Sequence, residues 1–234
     1  MRKRYGSVVA LGGVSLGVPV GSCTALVGES GSGKTTLLRS FNAMVEPDGG
    51  EVVVAGEAVS ASDPVRLRRS VGYVQQEGGL LPHWTILRNV ALVPWLLDVP
   101  DAEDRARKAL DLVGLPAPEF GGRWPRELSG GQRQRAALAR ALAAEPEVVL
   151  LDEPFGALDA ITRVDVQRTF SDLRGRLGLS VLLVTHDLRE AFELADQIAV
   201  MRAGAIEQIG EPDTLRQSPA TPYVTELLDK AGVS

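Results

Sequence analysis

Residues 24–44 read TALVGESGSGKTTLLRSFNAM, and the order of residue types in this stretch decides the fold. The run 24–27 has the composition of a short buried strand, and Leu37, Leu38 and Phe41 recur at helical spacing after Lys34. Between them, Gly28, Glu29, Ser30, Gly31, Ser32, Gly33, Lys34 and Thr35 fit the pattern of glycine, four residues, glycine, lysine and serine or threonine. Glycines let successive backbone N–H groups turn toward one centre, and the helix N-terminus that follows adds partial positive charge. Such a loop cradles phosphates. Lys34 can reach β- and γ-phosphates, and the Thr35 hydroxyl can ligate Mg2+. Only four lysines occur among 25 basic residues, so a lysine at this position is informative. A chance match to the pattern arises in roughly 1% of chains of ordinary composition. Thr36 stands where the third glycine of a dinucleotide fingerprint would be, so that alternative is not satisfied.

Outward from this loop, strand-like and helix-like stretches alternate. Residues 8–11, 14–18, 51–54 and 71–74 read as β-type runs, and Pro47-Asp48-Gly49-Gly50 as a turn. The middle of the chain is charged and amphipathic, with helices expected over 101–113 and 133–144. Strand-like runs resume at 148–151 and 181–184, separated by a helix over 165–176. A strand pair at 198–201 and 205–208 precedes a C-terminal helix over 222–230. Alternating strands and helices imply a mainly parallel sheet covered on both faces, hence an α/β fold. No internal repeat or low-complexity tract interrupts the pattern. The expected organisation is one domain. Residues 1–75 and 146–210 form its nucleotide-binding core with a β-subdomain, 76–145 a helical subdomain and 211–234 a helical tail.

The 234 residues include 44% hydrophobic but only 5% aromatic side chains, so aliphatic residues and alanine must fill the core. The formal net charge of -5 argues against general nucleic-acid binding, which calls for a basic excess. Cys23 is the single cysteine, which leaves no intrachain disulfide and no thiolate metal cluster. No apolar run approaches the roughly 20 residues that span a bilayer. The best, 90–99, is broken by Pro94 and Asp98, and the basic start Met1-Arg2-Lys3-Arg4 lacks a hydrophobic segment behind it. A membrane role is therefore expected only through a partner.

Two further segments carry chemistry. The apolar run 148–151 ends in Asp152 and Glu153, and in a parallel sheet that end is expected beside the phosphate loop. Asp152 can hold Mg2+, and Glu153 can polarise a water that attacks a γ-phosphate. Read alone, the pair would rather be a solvated strand end; behind a phosphate loop that reading recedes. Leu128 is followed by Ser129, Gly130, Gly131 and Gln132: an N-cap serine, then glycines that leave helix N-terminal amides bare. This makes a second anion site, or, on a blander reading, a capped helix after a flexible turn.

With the phosphate loop, Leu-Ser-Gly-Gly-Gln and Leu-Leu-Asp-Glu-Pro in this order, the chain resembles ABC-transporter ATPases from about Tyr5 onward. The resemblance implies a P-loop NTPase (RecA-like) core, a small antiparallel β-subdomain, ATP and Mg2+ as ligands, and a head-to-tail dimer with a second copy or a homologous ATPase. In such a dimer each ATP lies between one subunit's phosphate loop and the other's Ser129–Gln132 segment. Residue by residue, Gln76 matches the glutamine that senses Mg2+ and the attacking water, and Asp159 the loop that communicates across the dimer. His186 matches the switch histidine near the γ-phosphate. Tyr5 matches the aromatic that stacks on adenine, or it is a frayed terminal side chain. Such chains carry a strand of several residues before Tyr5, and only Met1–Arg4 stand here.

The run 76–93 and the run from Asp152 to Arg163 look most like importer ATPases. Among these they are similar to the quaternary-amine osmoprotectant group (glycine betaine, choline, carnitine). That implies transmembrane permease subunits as partners, a substrate-binding protein acting indirectly, and a cytoplasmic, peripheral place on the inner face of the membrane. His83, Trp84 and Trp95 are expected either to receive a permease helix or to pack in the core. Two rival classes are a soluble ABC ATPase not tied to transport and a P-loop kinase of small molecules. The first generally carries coiled-coil insertions or a duplicated cassette, and the second leaves the Ser129–Gln132 segment unexplained.

Overall fold

The computed structural model describes residues 1–233. The chain opens with strands β1 (Arg2–Tyr5), β2 (Val8–Gly12) and β3 (Cys23–Val27), then helix α1 (Lys34–Ser40). The hairpin β4 (Val53–Val54) and β5 (Glu57–Ala58) precedes helix α2 (Pro64–Ser70) and strand β6 (Gly72–Val74). Helices α3 (Ile86–Leu96), α4 (Ala102–Leu112), α5 (Ala117–Phe120) and α6 (Gly130–Leu142) follow. Next come strand β7 (Val148–Asp152), helix α7 (Ala160–Leu177), strand β8 (Ser180–Val184) and helix α8 (Leu188–Leu194). The hairpin β9 (Gln197–Arg202) and β10 (Ala205–Gly210) and helices α9 (Pro212–Gln217) and α10 (Pro222–Ala231) complete the fold. These elements gather into two compact units: Met1–Arg68 with the chain from Ser180 onward, and Arg69–Leu179.

In the first unit the strands lie in the order β10-β9-β3-β8. Strand β3 runs parallel to both β8 and β9, while β10 returns antiparallel to β9. All five residues of β3 are buried, as expected for a strand covered on both faces. Leu26 pairs with Val184 on one side and Ala199 on the other, so β3 and β8 end level with each other. The loops that leave these two C-terminal ends are those of Gly28–Thr35 and His186, at the end where open parallel sheets bind ligands.

The edge of this unit differs from the sequence reading. Arg2–Tyr5 forms a strand itself, antiparallel to β2. Asp48 clamps it, accepting from Lys3 Nζ at 2.9 Å and from the Arg4 amide at 2.7 Å. The Lys3 hydrogen bond is the main reason that the Asp48 carboxyl titrates below the usual range. Residues 14–18, expected as β-type, form no strand. Val14 exchanges bonds with Met1, and then Gly17 and Pro19 break any ladder. The expected strand 51–54 shrinks to Val53–Val54, because its partner β5 ends at Ala58, where residues 59–61 turn away as a short 3-10 helix.

In the second unit β6 pairs in parallel with β7. Helices α3, α4 and α6 pack on one another, and Val90, Ala106, Leu110, Ala136 and Ala139 on them are fully buried. Helix α3 has no counterpart in the sequence reading, where Pro94 interrupts an apolar run. The helix passes through Pro94, whose missing N–H affects only its last turn, and ends at Leu96. Buried Asn89 on α3 holds the preceding loop. Its amide donates to the carbonyls of Leu81, Trp84 and Thr85 and accepts from the Leu81 N–H. Helices α6 and α7 both start earlier than hydrophobic periodicity suggests, because side-chain caps at Ser129 and Asp159 set their first turns.

Candidate nucleotide site

Two glycines fix the path of the phosphate loop. Gly28 has φ 141°, and a Cβ there would lie 2.1 Å from the Met201 carbonyl oxygen. Gly33, the residue before α1, has φ 102°, and a Cβ there would lie 2.4 Å from the Ala10 carbonyl oxygen. Only glycine fits either place. Between them Ser30 and Gly31 are exposed, Ser32 is buried, and Thr35 and Thr36 are half-buried at the start of α1. Lys34 is buried and folds back over the loop. Its Nζ donates to the carbonyls of Gly28 and Glu29, each at 2.8 Å, and to Ser32 Oγ at 3.4 Å. The ammonium thus sits at the mouth of its own loop, with carbonyl partners that phosphate oxygens could replace.

The same unit carries Tyr5 and His186. Tyr5 is half exposed on β1, with the Lys3 ammonium 5.5 Å from its ring centroid. His186 is exposed between β8 and α8. Tyr223 was not anticipated. From α10 its hydroxyl accepts from the Glu29 amide at 3.4 Å, and the Arg202 guanidinium stacks 4.5 Å from its ring centroid. Burial is the largest influence on the phenol and pushes its pKa up. Its distance of 194 residues from Glu29 leaves no local sequence signal for this contact.

In the second unit the end of β7 brings three predicted residues together. Asp152 is buried, and the Tyr73 hydroxyl donates to its Oδ2 at 3.4 Å. The next residue, Glu153, takes a left-handed φ of 49°. For a non-glycine residue this conformation is costly, by roughly 1–2 kcal/mol, and such strain gathers at functional sites. The turn re-aims the Glu153 carboxylate, and Gln76 Nε2 donates to its Oε2 at 3.2 Å. The side chain of the preceding Gln75 lies instead against Gly79.

The Ser129–Gln132 segment closes on itself as a capping box. Ser129 Oγ accepts from the Gln132 amide at 3.2 Å, and Gln132 Oε1 accepts from the Ser129 amide at 2.9 Å. The box does not use the amides of Gly130 and Gly131 at the first positions of α6. A Cβ on Gly131 would meet Thr162 Cγ2 at 2.2 Å, so α6 and α7 pack at glycine distance. Asp159 is exposed and caps α7 by accepting from the Thr162 amide at 3.0 Å. Hydrogen bonds from the Thr162 side chain and then its backbone hold the Asp159 carboxyl below the usual range. His83, Trp84 and Trp95 form an edge-to-face series with centroids 6.1 and 6.2 Å apart, and Arg88 stacks on Trp84 at 4.8 Å. His83 is exposed and both tryptophans are half-buried, so the series lies at the surface.

Among the described residues no three His, Cys, Asp or Glu side chains gather as a metal cage. Among the described residues no helix is long and apolar enough to cross a membrane.

The chain is 45% identical over 227 residues to the glycine betaine/carnitine/choline transport ATP-binding protein of Bacillus subtilis (strain 168), covering 96% of this chain and 60% of that protein. It is 46% identical over 228 residues to the sulfate/thiosulfate import ATP-binding protein of Mycobacterium tuberculosis (strain CDC 1551 / Oshkosh), covering 97% and 64%. The chain thus spans about three fifths of the length of these curated relatives. A solved dimeric, post-hydrolysis state of the ATP-binding cassette MJ0796 bound to ADP and Pi superposes with a TM-score of 0.78 at 32% identity. That match covers 90% of this chain and 94% of the other. Residues 11–156 match the sequence profile of ABC transporters. With the phosphate loop, the Ser129–Gln132 cap and the Gln76–Glu153 pair all inside or beside that span, the chain belongs to the ABC transporter family.

Proposed function

We propose that the chain is the ATP-binding and ATP-hydrolysing subunit of an importer that takes up a small solute, a quaternary-amine osmoprotectant. The observation that carries hydrolysis is Glu153, turned out of β7 by its left-handed φ and bonded to Gln76. In this reading Lys34 leaves the Gly28 and Glu29 carbonyls for the β- and γ-phosphates, and the loop amides and Gly31 follow the phosphate outline. Tyr5 stacks on adenine. Glu153, held by Gln76, orients a water and takes its proton as the water oxygen bonds to the γ-phosphorus. The bond to the β–γ bridging oxygen breaks, and ADP and phosphate leave. His186 donates a hydrogen bond to the γ-phosphate. Thr35, Asp152 and Gln76 offer the oxygens for Mg2+, which neutralises charge on the phosphates when bound.

A second copy, or a homologous ATPase, supplies Ser129 to Gln132 in this proposal, with Asp159 beside it. Permease subunits place the chain on the cytoplasmic face of the membrane, and a substrate-binding protein delivers the solute to them. Relatives named for quaternary amines and for sulfate or thiosulfate match at similar identity, so an importer of another small solute is the second reading.

Glu153→Gln keeps the shape of the side chain and removes the base. ATP hydrolysis should fall by about 100-fold or more, with ATP binding retained. Hydrolysis at the parent rate would remove Glu153 from the role. Uptake of labelled betaine, choline, carnitine and sulfate in cells with and without the chain decides the solute.

A further inference from the structure

Helix α8 carries a buried carboxylate that hydrolysis does not use. Glu190 is 5% exposed, and its Oε2 accepts a hydrogen bond from the hydroxyl of Thr185, which is 1% exposed. Thr185 immediately precedes His186. Its Oγ1 also accepts from the amide of Asp187 at 3.0 Å, and its own amide donates to the Leu26 carbonyl of β3 at 3.1 Å. Asp187 in turn caps α8, accepting from the Arg189 amide at 3.0 Å. The backbone is thus held on both sides of His186, while the imidazole itself is exposed.

A threonine whose only task was to fill the strand end could be valine at no loss. Here the hydroxyl is both donor and acceptor, and a charged-type acceptor is buried to receive it. A carboxylate is costly to bury, and it is kept where its hydrogen bonds define a geometry. We infer that Glu190 is a positioning residue for His186, acting through the Thr185 hydroxyl to fix the turn that presents the imidazole to the phosphate. This rests on the role proposed above for His186. It places the turn's rigidity in a side-chain bond reaching back from α8 rather than in His186 itself.

The test uses the full chain and two readouts. The chain has two histidines, so the ring signals of His186 are assigned by comparison with His83→Asn. In Thr185→Val and Glu190→Leu the His186 ring signals should move toward those of a freely rotating histidine and sharpen. Thr185→Ser should restore them. Leu228→Ala, a core truncation in α10 of the same unit, should lower stability and leave these signals in place. In the same Thr185→Val and Glu190→Leu proteins kcat for ATP should fall about 10–100-fold with KM within a factor of about two. Unmoved ring signals in Thr185→Val and Glu190→Leu would overturn the inference, as would Thr185→Ser behaving like valine. Should Thr185→Val fail to fold, Glu190→Leu and Thr185→Ser still decide it. If the parent chain hydrolyses no ATP, the proposed function fails, and the ring signals still report whether Glu190 holds His186.

Discussion

Arg140 shows how one side chain can tie two motifs together. It lies on α6, ten residues beyond Gly130, and its two terminal nitrogens donate to the Gly78 and Gly79 carbonyls, each at 2.7 Å. Those carbonyls follow Gln76 in the chain by two and three residues. Burial is the cause of its lowered pKa, yet a guanidinium stays charged at any pH a protein survives. Its planar fork meets two carbonyls at once, and an ammonium meets them as a point. Arg140→Lys should therefore destabilise the chain by about 1–3 kcal/mol, the scale of hydrogen bonds made by a charged group. It should also speed amide exchange across residues 76–81 more than elsewhere in the second unit. Denaturant melts and peptide-resolved exchange measure both. Unchanged exchange at 76–81 would mean that the loop is held by something else. Nothing in the sequence marks Arg140 out from the other arginines of α6, since its acceptors lie more than 60 residues away.

Helices were legible in the sequence where a local rule sets them. The N-cap serine at 129 marks the approach to α6, and the run 222–230 falls within α10. Helices α2, α3, α5, α8 and α9 have no range of their own in the sequence reading. Four of them run four to seven residues, too short for a periodic signal, and α3 is obscured by Pro94. The close approach of α6 to α7 was equally invisible, because it is a matter of one methyl group. Gly131 leaves room for Thr162 Cγ2, and the Thr162 hydroxyl and amide serve Asp159. Gly131→Ala should thus cost about 1–3 kcal/mol by overpacking, despite the better helix propensity of alanine. Thr162→Ser removes the offending methyl and keeps the hydroxyl. The double variant should recover most of the loss, giving a coupling of about 1 kcal/mol or more in a double-mutant cycle. Additive losses would show that the backbone, not the methyl, is what Gly131 avoids.

At the scale of the whole molecule, the sequence made the motifs legible and left their use open. Lys34, Glu153 and Ser129 sit in short patterns whose spacing carries their chemistry, whereas Tyr223 and Glu190 act through contacts that only the folded chain creates. The Ser129–Gln132 segment sharpens the question of how many chains make one site. Its capping box engages the Ser129 and Gln132 amides and side chains and leaves the Gly130 and Gly131 amides outside the cap. A head-to-tail pair gives them a use, because each nucleotide then needs Lys34 from one copy and Ser129 from the other. Complementation tests this directly. In a Glu153→Gln background, expected to retain bound ATP, Lys34→Ala removes the loop's ammonium and Ser129→Arg obstructs the start of α6. Each alone spoils both sites of a symmetric pair. Mixed in equal amounts, the two variants form pairs in which one site carries both lesions and the other carries none. About one quarter of the sites are then intact. Light scattering with ATP and Mg2+ should detect dimers in the mixture and in neither variant by itself, their share rising with protein concentration as mass action requires. Dimers in Ser129→Arg alone, or none in the mixture while the Glu153→Gln parent dimerises, would show that each copy completes its own site.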